Sequence, residues 1–402
     1  MNPIKRVFSE PHRMYFSAAL LFLLVPMVWW GAFLFQRFEV PVVVKVNPVA
    51  IHGFGLLYGV FPLVSFGFLF TAFPKWTQST HEVRKCFHGP WWAMVGGFAL
   101  YFGQLWIGEP WGSIGAFCMF IGLLWGWAHL LRLFIAGEGF ERRQPAYVLG
   151  ALFGGVLGSF SMLAFQLVPI DPLYNAALAF GVYLFWPLLL LSILFRMLPF
   201  FTENKIGPIG MKSLSQTLPL LTVGLILKTG GALTDTKELW VLSDSLLLGV
   251  TLWQFYQWKF FYPKKEALLW YLYGALAWLP LVFVLGIAVG LDRLAGDFNT
   301  HLDLAGLHGL TVGLLACGAY AMLLRVTLGH SGMALKADGL STFGYLLVQL
   351  AALMRVGIEL GLNHVDGIVR MMWVPSALWL IAFGLLGLRY AVWYFRPRAD
   401  AN

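Results

Sequence analysis

The segment from Leu302 to Ser331 is apolar for most of its length apart from Asp303, yet it carries His308 near one end and Arg325 and His330 near the other. Neutral imidazole is the usual nitrogen ligand of haem iron and of copper, so histidines built into an apolar helix are first candidates for metal ligation. At 1.5 Å rise per residue, a continuous helix from His308 to His330 covers roughly 33 Å, about the thickness of a bilayer's hydrocarbon, which puts the two rings near opposite faces. Gly306, Gly309, Gly313 and Gly318 thin one flank of this segment. Such a flank lets a flat ligand approach the backbone, or lets another helix pack closely, and both readings stand at this point.

The remaining imidazoles sort around this segment. His52 opens the run I-H-G-F-G-L-L-Y-G, where Gly53, Gly55 and Gly59 again keep a helix thin. Its expected depth matches that of His308, so the two are expected to ligate one haem or to meet at one metal centre; a capping or hydrogen-bonding role is the alternative. His301 precedes His308 by roughly 10 Å along a helix, with Asp297 and Asp303 able to orient its ring, unless it belongs to a solvated loop. His364, ahead of Met371 and Met372, is a combination of soft and nitrogen ligands that copper accepts, although methionines opening an apolar span commonly pack in a core.

On the other face, R-V-T-L-G-H-S-G joins Arg325 to His330 through Gly329, and R-M-L-P-F-F-T-E-N places Arg196 at the same level. Arginine within a span is costly and persists where it meets an anion or reaches the interface. The carboxylate tails of a haem suit its forked geometry, and phospholipid is the competing partner. His129, one turn before Arg132, is a candidate trans ligand on this face or an interior hydrogen-bonding histidine. His12, beside Arg13 in P-H-R-M-Y-F, is a weaker ligand candidate, and His81 and His88 read as solvated.

These residues have to be positioned by helices in a membrane. With 59% hydrophobic and 11% charged residues among 402, and a mean hydropathy of +0.75, the chain is excluded from the water-soluble globular class. The expected fold is an all-α polytopic membrane protein with about twelve transmembrane helices, over 16–36, 51–73, 91–108, 112–135, 147–169, 175–195, 214–233, 237–258, 268–291, 303–328, 340–362 and 370–394. With the N-terminus in the cytoplasm, twenty of the 27 Lys and Arg residues fall on the cytoplasmic side and seven outside. That bias sets both termini in the cytoplasm and agrees with an even number of spans. The formal charge of +8 therefore reads as orientation and not as nucleic-acid binding.

One integral domain over 1–402 is expected, with a possible six-plus-six division near Lys212. Lys5, Arg6 and Arg13 precede a full-length span, so no cleavable signal is expected. Cys86, Cys118 and Cys317 lack paired spacing and read as core residues. No nucleophile elbow, phosphate-binding loop, zinc-protease helix or buried carboxylate pair is present, which argues against a hydrolase. Asp244 and Glu359 are the main acidic residues within spans, few for a proton-driven transporter.

Taken in order, P-H-R-M-Y-F at 11–16, His52 followed by G-F-L-F-T-A-F-P-K-W-T at 67–77, R-M-L-P-F-F-T at 196–202, A-W-L-P-L at 277–281, H-G-L-T-V-G at 308–313 and R-V-T-L-G-H-S-G at 325–332 resemble the NnrS family over nearly the whole chain. These are bacterial twelve-span membrane proteins reported to contain haem and copper and linked to nitric oxide metabolism and nitrosative stress. The resemblance implies a protein of the bacterial inner membrane that binds one or two b-type haems and reduces or scavenges nitric oxide, as a candidate oxidoreductase with an unidentified electron donor. A haem or copper carrier, a transporter, and a sensor without turnover are the alternatives.

The family's second-span motif typically reads H-A-H-E-M, whereas this chain has His52, Gly53, Phe54, Gly55 and Leu56. The resemblance thus implies roles for His52, His308 and His330 as metal ligands and for Arg13, Arg196 and Arg325 at haem propionates, beside Gly55, Gly309 and Gly329. It does not imply a complete copper site.

Overall fold

Where no water reaches the backbone, peptide groups must bond within their own segment, and this chain meets that requirement with helices. A computed structural model of the protein describes residues 2–39, 47–79, 86–262, 266–296, 300–361 and 370–400, and among them there are helices and no strand. His364, His81 and Asp297 lie outside the described residues.

Among the described residues, ten helical runs are long and apolar enough to cross a membrane. The two other expected spans, 91–108 and 237–258, are also helical, as α5 (His88–Ile107) and α11 (Lys237–Gln257). They are less apolar because α5 carries three Trp, four Gly, His88 and Gln104, while α11 carries Lys237, Glu238, Asp244 and two glutamines. Large side chains such as Leu21, Trp106, Ile135, Ile226 and Leu388 are exposed, as suits a surface solvated by lipid.

Packing groups the helices into two units, one comprising Met1–Gly181, Leu323–Leu335 and Phe383–Asn402, the other Val182–Met322 and Lys336–Ala382. The division falls within helices at three of its four boundaries and in the loop after Ser331 at the fourth, where the sequence suggests a single cut near Lys212. The first unit begins with α1 (Pro3–Val7), α2 (Pro11–Glu39), α3 (Pro48–Phe54) and α4 (Phe61–Thr77). It continues with α5, α6 (Trp111–Ala136), α7 (Arg143–Leu167) and α8 (Asp171–Leu178). The second holds α9 (Trp186–Ile206), α10 (Thr217–Thr234), α11, α12 (Ala267–Leu276), α13 (Trp278–Leu294), α14 (Thr300–His308) and α16 (Gly339–Gly361). Helices α15 (Cys317–His330) and α17 (Val374–Tyr390) are shared between the units, and α18 (Val392–Phe395) is in the first.

Glycine decides how closely the first unit packs. A Cβ on Gly115 of α6 would collide with the backbone nitrogen of Tyr101 and lie 2.7 Å from the Gly97 carbonyl oxygen on α5. The two backbones touch there, which is the use of small residues that membrane helices favour.

Among the described residues, three helical runs widen into π-helix, over Gly55–Val60, Ala179–Phe185 and Gly309–Ala316. The first two run into Phe61-Pro62 and Trp186-Pro187, where proline has no N–H to give to the ladder and the pitch must relax upstream. The third follows His308 directly, and the first begins three residues after His52. π-Segments are frequent beside functional residues.

Candidate functional site

The strongest constellation forms in the first unit, between the two ends of the chain. His12 sits in the first turn of α2, and His330 is the last residue of α15. Their ring centroids are 4.4 Å apart with planes inclined by 33°. His12 is 5% exposed, and its Nδ1 is buried with no hydrogen-bond partner among the described residues. A buried imidazole nitrogen left unmet is costly unless something ligates it or donates to it.

The C-terminal segment holds this pair in register. Arg13 Nη1 donates to the carbonyl oxygens of Trp393, Tyr394 and Arg396 at 3.3, 3.0 and 2.8 Å, and Arg6 Nη1 donates to that of Phe395 at 3.1 Å. These carbonyls lie in and just beyond α18, whose C-terminal oxygens have no partner within the helix. The chain then returns to the end of α15, where the Ala399 N–H donates to the Ser331 carbonyl at 2.8 Å. One turn back, the hydroxyls of Thr327 and Tyr394 are 2.8 Å apart. His330 is thereby anchored on both sides, and α2, α15 and α18 meet at one place.

A cavity of about 630 Å³ opens beside the two rings, lined by Arg6, Glu10, His12, Arg13, Phe70, Lys75, His330 and Arg398 among others. Four cationic side chains face one carboxylate. Arg398 is also held in a fork by Asp400, at 2.8 and 2.7 Å. That hydrogen bond keeps the Asp400 carboxyl below its usual range and the Arg398 guanidinium above its own. The cavity offers nitrogen ligands at one wall and charge for an anion at the others. Its size suits a ligand of a few tens of atoms.

The geometry discriminates between ways of using the pair. Imidazoles on opposite faces of one iron, each bonded at about 2.0 Å, have ring centres roughly 6 Å apart, whereas ligands at a right angle on one ion bring them to roughly 4–5 Å. The observed spacing fits two rings on the same side of a single metal ion, or one ring as ligand and the other beside it. It does not fit a haem sandwiched between His12 and His330. No group of three or more His, Cys, Asp or Glu side chains with metal-binding spacing occurs among the described residues.

The other expected ligands are distributed as follows. His129, buried in α6, packs against Phe70, a wall of the cavity, with ring centroids 5.8 Å apart. His52 stacks on Trp30, with centroids 4.1 Å apart and planes 8° from parallel. His308 places Nδ1 2.7 Å from the Leu304 carbonyl, so Nδ1 donates a proton there. His52 belongs to the first unit and His308 to the second. His301 Nδ1 is 3.0 Å from Glu359 Oε2, and Arg355 pairs with the same carboxylate. Glu359 is thus a carboxylate placed to orient His301, a role the sequence suggests for Asp303 or for Asp297, which lies outside the described residues.

The arginines also divide. Arg325 and His330 are in the first unit, while Arg196 is in the second. Arg13 lines the cavity, but one of its nitrogens is committed to the C-terminal carbonyls, so its first task is structural. Two of the glycines expected beside a cofactor face protein instead: a Cβ on Gly55 would lie 3.3 Å from the Phe98 ring, and one on Gly309 would lie 3.0 Å from Val282. Their flanks serve helix packing. A Cβ on Gly329 would meet Leu335 at 3.7 Å, an ordinary contact.

Sequence reasoning missed Lys75, Arg6 and Arg398 as members of the site. Lys75 lies within the F-P-K-W-T stretch, where a lysine ending an apolar span reads equally well as an orientation charge.

No curated protein matches this sequence. The model of the family described as NnrS protein matches residues 6–398 of the 402, which carry the His12–His330 pair and the cavity beside it, so the chain belongs to the NnrS family.

Proposed function

We propose that this protein is a haem-containing protein of the bacterial inner membrane that binds nitric oxide and reduces or scavenges it. The observation that carries the reading is the His12–His330 pair, 4.4 Å apart, beside a cavity with four cationic side chains. One imidazole of the pair would hold iron, and Arg6, Lys75 and Arg398 would neutralise the carboxylate tails of the porphyrin. His52 in the first unit and His308 in the second would each be a candidate metal ligand within its own unit, with Arg325 and Arg196 as further partners for carboxylates. A bound haem would supply an iron that takes nitric oxide, a small apolar gas that enters from lipid.

The residues of the chain set the conditions for that chemistry. His12 Nδ1 is buried and no donor meets it among the described residues. The C-terminal segment closes over α2 through Arg13 and fixes the end of α15. Reduction of two nitric oxide molecules to nitrous oxide and water consumes two electrons and two protons, so turnover requires an external electron donor.

A second reading is favoured by the same spacing. Two imidazoles on one side of one ion suit copper, and such a site does not need the histidine and glutamate missing after His52. Metal analysis and reduced-minus-oxidised spectra of the purified protein, with and without nitric oxide, separate the two. A Soret band that shifts with nitric oxide supports the haem reading, copper without haem supports the second, and neither metal in protein grown with haem and copper supplied defeats both.

A further inference from the structure

The second unit contains a buried ion pair for which metal ligation has no use. Lys228 of α10 and Asp244 of α11 are in contact, with side chains 5% and 0% exposed. Ionisable residues inside a membrane protein are expensive and commonly mark paths for ions or protons. Asp244 spends only Oδ2 on the lysine. Its Oδ1 is buried with no hydrogen-bond partner among the described residues, although a carboxylate oxygen in such surroundings needs a donor.

From this pair a series of charges leads out to water. The Trp240 ring has Lys228 Nζ at 4.7 Å and the Arg293 guanidinium at 4.6 Å. Arg293 Nη1 is 2.9 Å from Asp235 Oδ1, and the Asp235 side chain is 79% exposed. Asp235 ends α10 in the left-handed conformation, with φ 51°. Asp303 of α14 lies within electrostatic range of Arg293, Lys228 and Asp244. Tyr183 covers Lys228 at 5.1 Å. Lys237 and Glu238 start α11, and Asp292 precedes Arg293 on α13; His301 and His308 are the imidazoles of α14.

Apart from the exposed Asp235, two cations, Lys228 and Arg293, face two carboxylates, Asp244 and Asp303, along this ladder. Asp244 Oδ1, buried and unmet among the described residues, is the oxygen there that can take a proton. A metal cation is disfavoured there because the Lys228 ammonium already occupies the carboxylate. Space is reserved for the pair: a Cβ on Gly286 of α13 would collide with Asp244 Oδ2 and lie 2.8 Å from Lys228 Nζ.

We propose that Asp244 is a proton-accepting carboxylate, held by Lys228 at the inner end of a charge ladder that meets water at Asp235. Uptake converts the carboxylate to a carboxylic acid by forming one O–H bond at Oδ1. No other bond changes, Lys228 stays an ammonium, and Asp303 balances its charge. Nothing in this step requires haem or nitric oxide.

Infrared difference spectra of the full-length protein in lipid nanodiscs, recorded between about pH 9 and pH 5 where buried carboxyls titrate, read the step directly. The expected wild-type spectrum has a carboxylic acid C=O band that grows as pH falls, is absent in Asp244→Asn, and is shifted but retained in Asp244→Glu. Asp303→Asn moves its midpoint to lower pH, because one negative charge is gone. A lone Lys228 can unfold Asp244→Asn, so the double variant Lys228→Met/Asp244→Asn is recorded beside Lys228→Met; the band is expected in the second and not in the first. Identical spectra for wild type and the Asp244 variants throughout the titration overturn the proposal and leave a permanent ion pair.

Discussion

The ring of His12, in the first turn of the first long helix, lies 4.4 Å from the ring of His330, the last residue of α15. The contact joins residues 318 positions apart in sequence (330 − 12) and pairs two imidazoles within the first unit. Its spacing is too short for a haem between the rings and suits a single metal ion, or one ligand with a neighbour.

Replacing the two rings separately distinguishes these uses. If one imidazole holds haem, His330→Ala and His12→Ala differ, one losing the Soret band and the other keeping it. If both hold one ion, each lowers metal occupancy by about tenfold or more, as loss of a ligand or its close support does. Absorbance and metal content per mole of protein read the outcome.

Arg13 ties the C-terminal segment to α2 through three carbonyl oxygens. Hydrogen bonds from a charged donor contribute about 1.5–3 kcal/mol each, and those sharing one nitrogen contribute less than their sum. Arg13→Ala is expected to lower stability by about 3 kcal/mol and to expose the segment after Tyr390. Limited proteolysis and thermal unfolding in detergent check both effects; a variant as resistant as wild type would show that the segment is held by other means.

The α5–α6 contact depends on Gly115. A methyl there meets backbone, which cannot rotate away, so Gly115→Ala is expected to cost about 1–3 kcal/mol from overpacking. Gly96, on the same hairpin, faces open space, and a Cβ added there would meet nothing within 4 Å. Gly96→Ala is therefore expected to leave the melting temperature unchanged or slightly raised.

His52 and His308 belong to different units and are tested separately. If either imidazole holds iron, its replacement by alanine lowers bound haem by about tenfold or more, as loss of a ligand does. Haem per mole of protein in His52→Ala and in His308→Ala supplies the measurement, and unchanged haem removes that ring from the ligand set.

Much of this molecule is legible in its sequence because lipid leaves the backbone few choices. Apolar runs of about 20 residues must be helices in a membrane, and α5 and α11 are helical where hydropathy weakens. The motif P-H-R-M-Y-F and the motif R-V-T-L-G-H-S-G each place a basic residue near a histidine, which is enough to nominate both. What one-dimensional spacing does not contain is that the two motifs meet. That depends on the C-terminal segment folding back onto α2 and α15, through carbonyls that every residue possesses and no residue type announces. The same limit applies to glycine: at Gly55 and Gly309 the letter reads as room for a cofactor or for a neighbour, and the ring of Phe98 and the side chain of Val282 decide for the neighbour. Lys228 reads as a charge at the outer edge, and only the packing of α10, α11 and α13 turns it inward onto Asp244. Hydropathy is a property of a segment and survives in sequence, whereas the meeting of two side chains is a property of the helices' mutual arrangement and exists only once they have packed.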